Sequence, residues 1–357
     1  MNNNRSVLIL PQTPTANINY GKFVPPVLAD ILSSTIGGKF HYCINLLDSF
    51  NERELLLDKY IKNIEQLKIN YSDLWIDTEN VDDMIKNIIE LSNRGFIQEI
   101  NTTLFRCQCG KIEIEENKIN TCNPCISNFY IKNGIVYSKC CNCICEKSNE
   151  KILAFVPNKN LQNDLKFFPQ FFKNDSKTYE NTILNSYVMI SRKRNTGIKL
   201  KYNGKYYNID IDFLWSTYLA TFEETEKIVV TGNKMMYQLF MVGILERILR
   251  PQNDTILLGI PVISDVNKFL GSDIDPNVAK LALAFNMRWN NKVANFDNGI
   301  LRKLYRTNDK MLEKIYNEVL TQACSSGDFY ENVKYILNNN FNSQKILKKV
   351  KEMNKNV

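Results

Sequence analysis

Eight of the chain's ten cysteines fall between Cys107 and Cys145, and this cluster constrains the fold more than any other feature. They come as Cys107-Gln108-Cys109-Gly110, Cys122-Asn123-Pro124-Cys125 and Cys140-Cys141-Asn142-Cys143-Ile144-Cys145. Close pairs set about a dozen residues apart have the spacing of a zinc ribbon. Two thiolates a few residues apart on a tight turn can face one tetrahedral ion, and a second such turn across a hairpin completes four ligands. Gly110 and Pro124 suit turns of that kind. The candidate ligands are Cys107, Cys109, Cys122, Cys125, Cys140, Cys141, Cys143 and Cys145, for one or two Zn2+ ions. Four thiolates leave no open position for water, so the expected role is structural. The competing reading, a disulfide framework, belongs to small secreted domains. Here the apolar stretch at 7–10 is too short for a signal-peptide core and runs straight into Pro11. Cys43 and Cys324 stand apart and read as ordinary buried thiols.

The chain has a single histidine, His41. A Ser-His-Asp hydrolase would have to use that residue, and a histidine-rich metal site is excluded. Its place on an apolar stretch reads as a core position. The 357 residues are 44% hydrophobic and 23% charged, ordinary for a globular protein. No apolar run reaches the roughly 18 residues of a membrane span, so a cytoplasmic protein with no membrane partner is expected. The net charge of +7 permits a polyanionic partner without requiring one, since a Lys-, Asn- and Ile-rich composition alone produces it. Two four-thiolate zinc sites would bring it down to about +3.

Periodicity places a strand over 6–10, a loop over 11–22, a helix over 24–34 with Pro25 and Pro26 in its first turn, and a strand over 41–47. A helix over 51–67 opens with Asn51 and Glu54 in capping-box spacing. A strand over 71–76 and a helix over 81–94 complete the stretch before the cysteines. After them, 187–192 and 199–212 look extended, 227–231 and 255–263 read as buried strands, and 234–249 as a helix. From Pro276 the chain is mostly helical, ending in a basic helix over 344–355. Strands alternating with helices argue for a parallel sheet of βαβ units.

Several segments resemble, in order, a class I aminoacyl-tRNA synthetase, most closely methionyl-tRNA synthetase. Leu10-Pro11 through Pro14-Thr15-Ala16-Asn17, with Leu28-Ala29-Asp30-Ile31-Leu32, is similar to that family's first strand, nucleotide loop and following helix. The cysteines sit where the family inserts its zinc-bearing connective peptide. Ile190-Ser191-Arg192 with Gly197-Ile198 resembles the re-entry segment, and Asp212-Phe213-Leu214-Trp215 falls where the family has an aromatic strand. Val229-Val230-Thr231-Gly232-Asn233-Lys234 resembles a strand ending in Gly-Lys-Asp, and Gly271-Ser272-Asp273-Ile274-Asp275-Pro276 the segment after the second ATP signature. The resemblance covers about residues 6–290.

It implies an α/β fold: a doubly wound parallel sheet, Rossmann-like and of class I synthetase type, with an inserted Cys-rich zinc module and a short C-terminal helical region. The implied divisions are 1–98 and 186–288 as halves of the nucleotide-binding domain, 99–185 as the zinc-bearing insertion and 289–357 as the helical region. The ATP signatures depart from the family. His-Ile-Gly-His is replaced by Asn19-Tyr20-Gly21-Lys22, and Lys-Met-Ser-Lys-Ser by Asp265-Val266-Asn267-Lys268-Phe269. After residue 290 only 67 residues remain, too few for the family's anticodon-reading bundle.

Carried over by position, Lys22, Lys268 and Asn19 are the candidate catalytic residues, and Thr13, Thr15, Gly21, Gly232, Asn233 and Lys234 the candidate nucleotide-binding ones. Trp215 and Phe213 read as core, with an amino-acid pocket as the alternative. The expected substrates are ATP with Mg2+ and an amino acid; tRNA or another aminoacyl acceptor follows, and no DNA partner is expected. Three functions are open: a stand-alone amino-acid-activating or aminoacyl-transferring ligase, serving protein or specialised-metabolite biosynthesis; a catalytically dead paralogue that binds tRNA, amino acid or a synthetase as a regulator; and a zinc-ribbon protein binding nucleic acid in a salt-dependent way.

Overall fold

The computed structural model describes residues 5–47, 53–108, 113–116, 129–157, 165–169, 172–193, 197–271, 274–289, 292–321, 328–341, 348 and 352. The first stretch alternates as β1 (Arg5–Ile9), α1 (Tyr20–Ile36), β2 (Lys39–Ile44), α2 (Arg53–Gln66), β3 (Asp73–Ile76) and α3 (Val81–Asn93). Then come β4 (Ile97–Arg106), β5 (Glu113–Glu115), β6 (Phe129–Lys132), β7 (Ile135–Ser138), β8 (Glu146–Phe155), β9 (Lys166–Phe168), α4 (Lys173–Leu184), β10 (Val188–Met189) and β11 (Ser191–Arg192). The chain continues through β12 (Ile198–Tyr202), β13 (Lys205–Ile209), α5 (Ile211–Ala220), β14 (Glu226–Gly232), α6 (Met236–Leu249), β15 (Asp254–Ile260), β16 (Val262–Ser264) and α7 (Val266–Phe269). It closes with α8 (Pro276–Phe285), β17 (Val293–Asn295), α9 (Asn298–Leu304), α10 (Asp309–Ile315) and α11 (Phe329–Asn340).

Six strands form one all-parallel sheet in the order β3-β2-β1-β14-β15-β9. Alternate residues of each strand enter two separate cores. Val7, Ile9, Tyr42, Ile44, Val230 and Leu258 pack with Phe23 and Val27 of α1, Tyr60 of α2 and Leu281 of α8. Leu8, Cys43, Val229 and Leu257 pack on the other face with Met84 of α3, Trp215 of α5 and Leu239 of α6. Burial on both faces explains why the strands read as unbroken apolar runs such as Val7-Leu8-Ile9. The sheet is therefore doubly wound, and its order reverses between β1 and β14. Ligands of such sheets lie outside the carboxyl ends of the strands at that switch point.

The insertion leaves through β4, which pairs antiparallel with β8 along ten residues, from Ile97↔Phe155 to Arg106↔Glu146. Cys107 follows the far end of β4 and Cys145 precedes β8, so the described cysteines of the module cluster at the tip of this ribbon. The chain is back in the main sheet at β9, within the 99–185 span, where Leu257 pairs with Phe167.

Two buried ion pairs tie elements together, one on each face of the sheet. Lys227 of β14 meets Glu246 of α6 at 2.7 Å and donates to the carbonyls of Leu219 and Ala220 at the end of α5. Asp30 of α1 meets Lys280 of α8 at 2.5 Å.

Local expectations fail in instructive places. Helix α1 starts at Tyr20, so Pro25 and Pro26 lie inside it rather than in its first turn. Neither has an N–H for the carbonyls of Gly21 and Lys22 four residues back. Residues 212–215 form part of helix α5, not an aromatic strand: Asp210 caps the helix by accepting from Asp212 N, and every residue from Phe213 to Ala220 is buried. Helical burial on all sides leaves no polar periodicity to read. The strand expected over 255–263 breaks at Pro261 into β15 and β16. Asn51 and most of the tail helix lie outside the described residues. No described helix is long and apolar enough to cross a membrane.

Candidate active site

The carboxyl ends of β1, β14 and β15 align in register: Ile9 opposite Val230, and Gly232 opposite Ile260. The segment after β1 stays on this edge. Leu10 N bonds to Val230 O at 3.0 Å, Gln12 N to Cys43 O at 2.8 Å, and Asn45 N to Gln12 O at 3.0 Å. Thr13 and Thr15, both half-buried, lie in this segment; Lys22 Nζ reaches Thr13 O at 3.5 Å, and Thr15 Oγ1 donates to Asn17 O at 3.1 Å. The segment feeds the N-terminus of α1, a place that favours anions because the first amides of a helix point outward.

Asn19 stands at the N-cap with extended backbone (φ −114°, ψ 95°), yet its side chain does not cap the helix. Asn267, in the short helix α7 that follows β16, does so instead: its Oδ1 accepts from Tyr20 N at 2.8 Å. Its Nδ2 donates to Asn19 Oδ1 at 3.0 Å. Tyr20 OH donates to Gly271 O at 2.9 Å. The two segments that stand at the signature positions thus meet directly, although about 250 residues separate them. Lys268 is the next residue along, exposed, with its Nζ 5.9 Å from the ring centroid of Phe269. Gly232 ends β14; Asn233 and Lys234 follow in a 3-10 turn ahead of α6, half-buried and exposed respectively. They share the sheet edge with the α1 terminus by register.

Asn267, Tyr20 and Gly271 are the site members that sequence reasoning passed over. Asn267 lay inside the counted signature, but its chemistry depends on a partner far away in sequence. A further polar anchor, Asp77, sits fully buried after β3 and accepts from Leu46 N (2.9 Å), Leu47 N (3.2 Å) and Trp215 Nε1 (3.3 Å). Burial pushes its carboxyl above the usual range, against the pull of those donors. Trp215 and Phe213 are core residues.

The chain's only imidazole is elsewhere. His41 is 3% exposed in β2, with Nδ1 3.1 Å from Asp73 Oδ2 and Nε2 3.8 Å from Glu224 Oε1. Neither nitrogen makes a well-directed hydrogen bond. Burial pushes its pKa down, and Glu224 and Asp73 only partly oppose this.

At the insertion tip the sulfurs of Cys107, Cys140 and Cys141 all lie within 4.8 Å of one another, with Cys107 and Cys140 3.8 Å apart. A tetrahedral ion with metal–sulfur bonds of about 2.3 Å holds its sulfurs about 3.8 Å apart, so this donor set fits zinc. Cys143 Sγ donates to Cys141 O at 3.3 Å, and Cys145 is buried in the small core of the module. Cys109, Cys122 and Cys125 lie outside the described residues, and the six described cysteines are thiols.

The chain matches no protein-family model and no curated protein sequence. Its fold does match solved structures. Methionyl-tRNA synthetase of Mycobacterium tuberculosis bound by methionyl-adenylate aligns with a TM-score of 0.64 at 12% identity, over 88% of this chain and 71% of that one. The free form of that enzyme aligns with the same TM-score at 11% identity, over 88% and 69%. At this identity the likeness is one of fold: a class I synthetase-like core with a cysteine-bearing insertion.

Proposed function

We propose that this chain, built on a class I synthetase-like core, binds ATP and an amino acid at the switch point and joins them as an aminoacyl-adenylate. The observation that carries the reading is the direct meeting of the 19–22 and 265–271 segments at the N-terminus of α1. Activation requires a carboxylate oxygen of the amino acid to attack the α-phosphorus of ATP. The bond to the bridging oxygen breaks, and pyrophosphate leaves with its electron pair. Negative charge grows on the phosphates, so fixed donors and cations do most of the catalytic work. Lys22 and Lys268 supply the cations in this reading, and the Asn19 carboxamide supplies a neutral donor. Thr13, Thr15, Gly21, Gly232, Asn233 and Lys234 line the nucleotide. Mg2+ bound with ATP neutralises part of the phosphate charge. Zinc, held by Cys107, Cys140, Cys141 and a further thiol of the cluster, keeps the insertion folded. The acceptor is a tRNA or another aminoacyl acceptor, and the protein works in the cytoplasm.

The test is amino-acid-dependent ATP–pyrophosphate exchange by zinc-loaded protein, across the standard amino acids with an ATP-only control. Exchange with one amino acid establishes the activity and names the substrate. No exchange with any of them sinks the ligase reading. One observation favours a second reading, a synthetase-like regulator that binds without catalysis: the family's two imidazoles are replaced, and the one imidazole present is buried away from the sheet edge. Binding of ATP or amino acid by calorimetry without exchange would establish that reading.

A further inference from the structure

Asn267 makes two bonds at once, one as acceptor and one as donor, that no apolar side chain could make. Its carboxamide oxygen takes the first amide of α1, and its nitrogen donates to the residue just before that helix. Three local features bring it there. Asp265 adopts a left-handed backbone (φ 56°), which turns the chain out of β16 into the short helix α7. Val266 is buried in the main core and anchors that turn. Gly21 leaves the Asn19 side chain room: a Cβ there would stand 3.3 Å from Asn19 Oδ1, a tight contact, and 3.6 Å from Val266 Cγ1, an ordinary one. The bond from Tyr20 OH to Gly271 O closes the far end of the same segment.

We propose that Asn267 clasps the two segments together before any ligand arrives and is thereby a positioning residue of the nucleotide site. It holds Lys268, its chain neighbour, and Asn19, its partner, on one rim; this rests on the nucleotide reading given above. A rim assembled in advance moves the ordering cost from binding to folding, which strengthens binding.

Two measurements on the full zinc-loaded chain test this. The first is tryptic cleavage after Lys268 without nucleotide. Asn267→Ala is expected to speed that cleavage about tenfold, the factor equivalent to roughly 1.4 kcal/mol, with the melting temperature lower by no more than about 3 °C and cleavage at other sites unchanged. Asn19→Ala, which cuts the same bond from the other side and leaves the Tyr20 cap in place, is expected to act in the same direction. Equal cleavage rates in wild type and both variants overturn the clasp. The second is MgATP binding by calorimetry, where Asn267→Ala is expected to weaken affinity about tenfold. Wild type that binds while Asn267→Ala binds equally well overturns the positioning role alone. Wild type that does not bind MgATP overturns the nucleotide reading and the positioning role with it.

Discussion

Asp30→Ala removes the acceptor at the centre of a buried network, and the structure sets the size of the effect. Asp30 is fully buried in α1. Its carboxylate accepts from Lys280 Nζ at 2.5 Å, from Asn70 N at 3.1 Å and from Tyr316 OH at 3.2 Å. Lys280 is 5% exposed and, among the described residues, keeps the carbonyl of Lys68, at 2.8 Å, and the ring of Tyr316, 4.4 Å away, as other partners. Truncating Asp30 strands an ammonium in the core, which costs about 3–5 kcal/mol. The orphaned amide of Asn70 adds to this, though not additively. At roughly 2 °C per kcal/mol for a chain of this size, the melting temperature should fall by about 6–10 °C, read by circular dichroism. Replacing both charges, Asp30→Leu with Lys280→Met, should recover most of that loss, because desolvating two charges offsets much of their attraction. The reasoning is refuted if Asp30→Ala melts within ~2 °C of wild type, or if the double variant melts no higher than the single one.

Glu150, 11% exposed, is pushed up by burial, but hydrogen bonds from Arg106, Lys193 and Ser148 win and hold it at about 2. Its ionised form is then worth roughly 3 kcal/mol above pH 4.5, lost as pH falls from 4.5 through 2; Glu150→Gln should lower stability at pH 7 and show a smaller loss on acidification. Cys107→Ser or Cys140→Ser should lower the zinc content measured by mass spectrometry by at least one ion per chain, whereas Cys43→Ser, at a buried strand position, should leave it unchanged. Lys22→Ala and Lys268→Ala should each lower kcat/KM for pyrophosphate exchange by about 10²-fold, the typical loss when one charge-stabilising donor is removed. His41 titrates lower in the fold than its ordinary 6.5, so the unfolded chain binds the extra proton first and stability should decline as pH drops below 6.5; His41→Phe should flatten that decline in urea titrations between pH 5 and 7.

Much of the architecture was legible because it rests on short-range signals. Strands buried on both faces leave continuous apolar runs, and helices on a doubly wound sheet recur between them. Val7-Leu8-Ile9 and Ile228-Val229-Val230 could hardly be anything else. The errors fall where one side chain serves two masters. Phe213, Leu214 and Trp215 are buried all round a helix, so nothing in their pattern separates helix from strand. Pro25 and Pro26 are strong helix-start signals, yet the helix begins five residues earlier because Asn267 satisfies the amide at its true start. A terminus capped from another part of the chain carries no local mark.

The candidate site divides along the same line. Counting along a resemblance picks out the two segments that carry Gly21, Lys22 and Lys268, and these segments meet in the fold; the cysteines stand out by their spacing. The amide pair could not be found in either way, because Asn19 and Asn267 acquire meaning only when the segments that follow β1 and β16 are brought together. The carboxamide of Asn19, where the resembled signature has its first imidazole, is also a physical change, not just a loss of signature. An imidazole near neutrality changes charge with small shifts in pH, whereas a carboxamide keeps one charge state and offers a donor and an acceptor together. That pairing lets Asn19 accept from Asn267 whatever the pH. The sole remaining histidine, buried against Phe222 with ring centroids 4.8 Å apart, belongs to the packing of the sheet. In the nucleotide reading proposed above, the protein's own groups facing a phosphate are then ammonium groups and carboxamides, donors that carry no imidazole titration.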